Sequence, residues 1–138
     1  MKLTLKREGG NFSLIATNAA GHLVFLDAIQ RIGSKESAFS SMELLLDCLA
    51  GCSTMDILNI LYKQKQHIEI FEIDIDADRY MDRKPFVFRQ ITLNILVKGK
   101  ISESKLSRSI SLTRDNYCLA YHILKHTSTI TYRYEIEK

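Results

Sequence analysis

The feature that most constrains the fold of this sequence is a long apolar segment, which begins after Ser40 and continues to about Gln66. Ser40 and Glu43 form a capping box, in which each side chain accepts a hydrogen bond from the backbone N–H of the other residue at the start of a helix. The apolar residues beyond them cover more than one helical face, so we expect the first half of this helix to be buried nearly all round. The sequence therefore predicts one long helix at the centre of the fold.

Strand-like alternation precedes the helix. The first 27 residues alternate in three short runs, and the turn-forming residues Gly9-Gly10 and 18–21 separate these runs. This pattern predicts a three-stranded antiparallel meander. Residues 28–39 show no clean period, and we expect them to form a mobile loop of the kind that often borders a functional site.

Further strands and shorter helices follow the long helix. Residues 68–75 and 86–97 predict two long strands, each with one slip in phase that indicates a bulge or bend. Residues 102–113, with Ser102 as the cap, and residues 117–125 predict two helices, and residues 130–136 predict a last half-buried strand. The sequence thus predicts an α+β fold with antiparallel sheets around a long central helix.

Composition limits the class of protein. A chain of 138 residues with 46% apolar residues can bury its own core, and we expect one domain over residues 1–138. The 19 basic and 16 acidic residues are scattered along the chain, which disfavours a nucleic-acid partner. Three cysteines are too few for a secreted disulfide framework, and no uninterrupted apolar run reaches the roughly 18 residues of a membrane span. We expect a cytoplasmic protein with reduced thiols and no membrane partner.

Two cysteines in separate predicted helices, Cys52 and Cys118, favour redox chemistry over a scaffolding role. Cys52 lies more than three turns into its helix, where the helix dipole has little effect on a thiol, and a cysteine in such a place is most often an inert core residue. Cys118 follows a polar run, residues 113–116, near the start of its helix. Free backbone N–H groups and Arg114 would favour its thiolate there.

A zinc site is an alternative use of the same thiols. Cys48 and Cys52 are four residues apart, as are Cys118 and His122, so each pair projects from one helical face. Together they would offer three sulfurs and one nitrogen to a tetrahedral zinc ion. In the other interpretation, Cys48 is a small core residue beside a functional Cys52.

Three stretches of the chain carry a resemblance to a known family. They are residues 41–54, which contain Met42-Glu-Leu-Leu-Leu46 and end just beyond Cys52, residues 117–121, and residues 130–136. Together they resemble the OsmC/Ohr family of thiol-dependent peroxidases, in the branch with the Met-Glu-Leu-Leu-Leu pattern. The resemblance implies an intertwined homodimer with two active sites at the subunit interface.

The resemblance also implies a reaction. Cys52 would attack an organic hydroperoxide and become a sulfenic acid, and Cys118 would condense with it to give a disulfide. An external dithiol would then reduce that disulfide, and no cofactor or resident metal takes part.

The resemblance further implies groups that hold the reactive thiolate. The hydroperoxide-resistance branch uses a Glu ten residues before its reactive cysteine and an Arg from the early strands. Here that count gives Met42, with Glu43 one place away, and Arg31 is the substitute for the arginine. The alternative function is a non-catalytic binding or redox-sensing module on the same scaffold.

Overall fold

Three short strands form an antiparallel sheet at the start of the chain, in the order β1 (Leu3–Arg7), β2 (Leu14–Asn18) and β3 (Leu23–Leu26). The structure is a computed structural model that describes residues 1–28 and 34–138. These strands belong to the first of two compact units, which spans Met1–Asp47, and the second spans Cys48–Lys138. The predicted meander is confirmed.

The described part of the loop after β3 is anchored by Asp27. This buried carboxylate accepts hydrogen bonds from the hydroxyls of Ser34 and Ser37 at 2.6 and 2.7 Å and from the backbone N–H of Ala28 at 2.7 Å. The serine hydroxyls, followed by the backbone N–H groups, hold the pKa of Asp27 well below its usual range. Within residues 34–39 the predicted mobile loop is therefore tied to the end of β3.

The long helix, α1, spans Ser41–Lys63. Its capping box is confirmed, because the Glu43 carboxylate accepts from the backbone N–H of Ser40 at 2.7 Å and the Ser40 hydroxyl accepts from the N–H of Glu43 at 3.2 Å. The prediction of burial all round is wrong for the single chain. Its buried residues follow one stripe, whose members are Leu49, Ala50, Ser53, Ile57 and Leu61.

The expectation that no segment of the chain is long and apolar enough to span a membrane does not hold for helix α1. By length and composition alone it is long and apolar enough to cross a membrane, in spite of its interrupting polar residues. The core helices of soluble proteins pass the same test, so this property alone is weak evidence that α1 spans a membrane.

A second sheet has the order β4 (His67–Arg79), β5 (Phe88–Lys100) and β6 (Thr129–Glu137). Strands β4 and β5 are antiparallel, but β6 pairs parallel to β5, which differs from the antiparallel sheets that we predicted. The reason is the long connection between β5 and β6, because a parallel pair needs a crossover rather than a tight turn.

This crossover contains two helices, α2 (Glu103–Leu112) and α3 (Leu119–Leu124), joined by a π-helical turn at Thr113–Tyr117. Ser102 is the N-cap of α2, but its side chain makes no capping hydrogen bond. Its hydroxyl contacts the Ser104 hydroxyl at 2.9 Å instead.

The core of the second unit lies where α1 and α2 pack on the central strand β5. Its buried members are Ile57, Leu61, Ile95, Val97, Leu106 and Ile110. Truncation of such fully buried aliphatic side chains to alanine typically costs about 2 to 5 kcal/mol. This core fixes the second half of α1 against the sheet.

A bulge in β4 explains the slip in its hydrophobic pattern. The register shifts between Ile68 and Ile70, so that Ile68 and Phe71 both pack on the core while Ile70 is exposed. Gly99 on β5 lies opposite Ile68 with a φ of 140°. A Cβ at Gly99 would lie 2.2 Å from the carbonyl oxygen of His67, so only glycine fits.

We predict that Gly99→Ala lowers the free energy of unfolding by about 2 kcal/mol or more, because alanine meets both a backbone clash and an unfavourable φ. Denaturant unfolding at a fixed protein concentration measures the change. The matched control is Gly10→Ala, where a Cβ meets nothing within 4 Å and the expected change is within about 0.5 kcal/mol. Equal losses in the two variants would contradict this account of the bulge.

Candidate active site

The fold brings Cys52 and Cys118 together. Cys52 lies on α1, and Cys118 is the N-cap residue of α3. Their Sγ atoms lie within 4.8 Å of one another, and both thiols are free. Rotation of the side chains would have to close the rest of the gap to the S–S bond length of about 2.05 Å.

Cys118 lies in a fully buried position. Its Sγ accepts a hydrogen bond from the backbone N–H of Tyr121 at 3.4 Å and contacts the Ser53 hydroxyl at 3.5 Å. Burial raises the pKa of the Cys118 thiol and the neighbouring Cys52 adds to the rise, while the two hydrogen bonds oppose it. The backbone N–H at the helix start favours the thiolate as expected, but loss of hydration outweighs it, and Arg114 is not among the groups that shift this pKa.

Arg114 has a different partner. Its guanidinium binds the carboxylate of Asp115, with Nε and Oδ1 2.7 Å apart. This ion pair raises the pKa of Arg114 and lowers that of Asp115. The positive charge predicted to act on the thiol is thus shared with a neighbouring acid.

Ser53 and Tyr132 are site residues that the sequence analysis missed. The Ser53 hydroxyl is buried, and it lies 2.9 Å from the Tyr132 hydroxyl on β6. Burial raises the pKa of Tyr132 well above its usual range, so this hydroxyl stays protonated and available as a donor. A chain of hydrogen-bonding groups thus leads from β6 through α1 to the sulfur of Cys118.

Asp56 is the third missed residue. One of its carboxylate oxygens lies within 4.8 Å of the sulfurs of both Cys52 and Cys118. Removal from water raises the pKa of this carboxyl. Its position four residues after Cys52, on the same helical face, is the signal in the sequence that would have found it.

The structure brings together only two of the four residues considered as zinc ligands. Within residues 1–28 and 34–138, the group whose ligand atoms come together contains Cys52, Cys118 and Asp56, and neither Cys48 nor His122 belongs to it. Cys48 is exposed, so its interpretation as a small core residue is also wrong for the single chain.

The two predicted activating residues have different outcomes. The Glu43 side chain is exposed, and its carboxylate accepts the capping hydrogen bond at the start of α1. Arg31 lies outside the residues that the structure describes. An activating role for either residue stays a prediction.

Comparison with known proteins agrees with this architecture. The sequence model of a family described as OsmC-like protein matches residues 33–133. Protein YhfA of Escherichia coli K12 is 28% identical over 125 residues, which cover 90% of each chain.

Solved structures with the same fold include an OsmC like protein from Mycoplasma pneumoniae, which is 17% identical with a TM-score of 0.81 and covers 99% of this chain and 96% of its own. The organic hydroperoxide resistance protein OhrB of Bacillus subtilis is 16% identical with a TM-score of 0.64, and the match covers 97% of this chain and 96% of that one. Both show that the α+β fold extends over nearly the whole length of each chain.

We predict that Ser53→Ala raises the pKa of Cys118 further, because the variant loses a hydrogen bond that favours the thiolate. The measurement is the pH titration of thiolate ultraviolet absorbance in a Cys48→Ser, Cys52→Ser background, where Cys118 is the only thiol left. Thr54→Ala, one residue further along α1, keeps the Ser53 hydroxyl and should leave the midpoint unchanged. If Ser53→Ala left the midpoint unchanged too, the hydroxyl would have no influence on this sulfur.

Proposed function

Because the chain belongs to the family of OsmC-like proteins, we propose that it is a thiol-dependent peroxidase that reduces organic hydroperoxides through Cys52 and Cys118. The observation that carries the proposal is the approach of the two sulfurs to within 4.8 Å, from a long helix and from the start of a later one. Membership of the family supports a redox role, and the name of the Bacillus subtilis protein of similar fold supports hydroperoxides as the substrate class.

The first step takes place at Cys52, which is half-buried and therefore more accessible than the fully buried Cys118. Its thiolate attacks the distal oxygen of the hydroperoxide, an S–O bond forms, and the O–O bond breaks. The departing alkoxide takes up a proton and leaves as an alcohol. Cys52 is oxidised to a sulfenic acid.

The second step uses the other thiol. The Cys118 sulfur attacks the Cys52 sulfur, an S–S bond forms, and the hydroxyl group leaves as water after taking up a proton. The high pKa of Cys118 suits this role, because this thiol stays protonated and unreactive towards peroxide until the sulfenic acid lies beside it. An external dithiol then reduces the disulfide, as the reduced thiols of the cytoplasm would allow.

The substrate class follows from the surroundings of Cys52. The residues before it on α1, Leu49 and Ala50, are apolar, Met55 follows it, and α1 as a whole is rich in leucine and isoleucine. A hydroperoxide with a carbon chain gains free energy from contact with such a surface, at roughly 25 cal/mol for each Å² of apolar area buried, whereas hydrogen peroxide gains none.

We also propose that the protein works as a homodimer. Large apolar side chains are exposed in the single chain on the elements that carry the thiols, and such surfaces are typical of interfaces. They include Met42, Met55, Tyr62, Leu119 and Ile123. OsmC-like proteins are soluble and generally dimeric, and a partner chain would cover the faces of α1 that the single chain leaves open.

A peroxidase of this kind needs groups that hold its reactive thiolate. Glu43 and Arg31 remain the residues that we propose for this role, by analogy with the acid and the arginine of the hydroperoxide-resistance branch. Replacement of Arg31 by alanine would then slow the first oxidation step.

A redox-sensing role is the second candidate function. Its support is the full burial of Cys118, which would leave a disulfide between Cys52 and Cys118 poorly accessible to an external reductant. In that case the disulfide would form once and persist, with no catalytic loss of peroxide.

We predict that Cys52→Ser abolishes peroxide turnover and that Cys48→Ser leaves it unchanged, because only the first variant loses the attacking sulfur. Cys118→Ser should react once and stop at the sulfenic acid, which a dimedone adduct on Cys52 would reveal. Turnover is followed as loss of cumene hydroperoxide in the presence of a dithiol. Equal losses in the Cys48 and Cys52 variants would overturn the assignment.

Peptide mapping by mass spectrometry distinguishes the two candidate functions from a protein whose thiols do not react with peroxide. After one equivalent of cumene hydroperoxide, we expect a disulfide between Cys52 and Cys118, formed faster than with hydrogen peroxide. If the disulfide forms without catalytic turnover, the sensing function is favoured. If both thiols survive unmodified, neither function is correct.

We predict that the purified protein has twice the mass of one chain by light scattering. Met55→Glu should shift it towards the monomer, because Met55 is 74% exposed in the single chain and would place a charge in an apolar interface. The matched control is Met81→Glu, which changes an equally exposed methionine in the β4–β5 connection. A monomeric native protein would contradict the prediction.

A further inference from the structure

Asp56 and the two cysteines form a cluster that the proposed peroxidase reaction does not use in full. Two thiol sulfurs and one carboxylate oxygen, all within 4.8 Å of one another, come from two turns of α1 and from the N-cap of α3. We propose that Cys52, Cys118 and Asp56 bind a zinc ion, with the fourth coordination position open to water or another small ligand.

The spacing of the three ligand atoms suits this ion. Zinc binds sulfur at about 2.3 Å and carboxylate oxygen at about 2.1 Å, so tetrahedral geometry separates neighbouring ligand atoms by roughly 3.5 to 3.8 Å. Since no two of the three ligand atoms lie more than 4.8 Å apart, at most about 1.3 Å remains to be closed. Small rotations of side chains can close it, because Cys52 and Asp56 lie four residues apart on the same helical face.

The types of ligand select zinc over the other common divalent ions. Two thiolates and one carboxylate form a donor set that zinc accepts, whereas magnesium and calcium require oxygen ligands. Three protein ligands with one open position are typical of catalytic rather than structural zinc sites. Cys52 and Asp56 are only half-buried, which leaves a side of the cluster for a small ligand.

The negative charges of the three deprotonated groups are a second reason to expect a bound cation. All three groups become negative when they lose a proton, and their ligand atoms lie within 4.8 Å of one another. Within the described residues, Asp56 takes part in no ion pair. A dication would offset the mutual repulsion of the three groups and the cost of removing them from water.

The surrounding hydrogen bonds would orient one of the ligands. The backbone N–H of Tyr121 and the hydroxyl of Ser53 both contact the Cys118 sulfur, and Tyr132 in turn holds Ser53. Partners of this kind fix the direction of a metal ligand and commonly change metal affinity 10- to 100-fold when removed.

Zinc binding and disulfide formation would exclude one another. Both use the sulfur lone pairs of Cys52 and Cys118, so a bound zinc ion would keep these thiols from oxidants and alkylating agents. The site itself does not depend on the proposed peroxidase function, and its test contains no peroxide.

The test is a titration of the reduced, metal-free full chain with Zn²⁺ in competition with a chromophoric chelator, and with Co²⁺ as a spectroscopic probe. We expect one ion per chain, a sulfur-to-cobalt charge-transfer band, and tetrahedral d–d bands. Asp56→Asn and Cys118→Ala should each weaken Zn²⁺ binding at least tenfold, since each loses a direct ligand. Cys48→Ser, which removes the exposed thiol outside the cluster, should bind as the native chain does.

A second readout does not depend on metal affinity. Zn²⁺ should slow the alkylation of Cys52 by iodoacetamide and leave that of Cys48 unchanged, as measured by peptide mass spectrometry. Circular dichroism shows whether each variant keeps its fold, and Asp56→Asn tests the site even if Cys118→Ala does not fold. Equal weakening by Cys48→Ser and Asp56→Asn, or no saturable binding at micromolar Zn²⁺, would overturn the proposal.

Discussion

A stripe of buried residues at every fourth position sets the rotation of α1, and the site depends on that rotation. Its main members are Leu49, Ser53, Ile57 and Leu61. Since Ile57 and Leu61 belong to the core of the second unit, the helix cannot turn about its axis without exposing them. Cys52 and Asp56 each precede a member of the stripe by one residue, so the apolar core determines where both polar ligand atoms lie.

Structural features that depend on residues close together in the sequence could be predicted. The capping box of Ser40 and Glu43 needs only two residues three apart, and it forms as expected. The meander and the bulge in β4 follow from alternation with period two and from its interruption. Resemblance to the family then identified Cys52 as the reactive thiol, although a cysteine within an apolar helix is most often an inert core residue.

Structural features that depend on residues far apart in the sequence could not be predicted in this way. Ser53 and Asp56 gain their importance from Cys118 and Tyr132, which other elements deliver. The apolar pattern of α1 correctly indicates a helix that avoids water, but such a pattern does not distinguish burial within one chain from burial against a second copy. The parallel direction of β6 could have been predicted, because two helices between consecutive strands favour a parallel pairing.

The parallel pairing of β5 and β6 has a consequence for the order in which the site is built. β4 and β5 can pair as soon as both have left the ribosome, whereas β6 closes a much longer loop and comes last in the chain. Tyr132 on β6 completes the hydrogen bonds that run through Ser53 to Cys118. The hydrogen bond between Tyr132 and Ser53 can therefore form only after the elements that carry both thiols have been synthesised, and the docking of β6 completes this polar network.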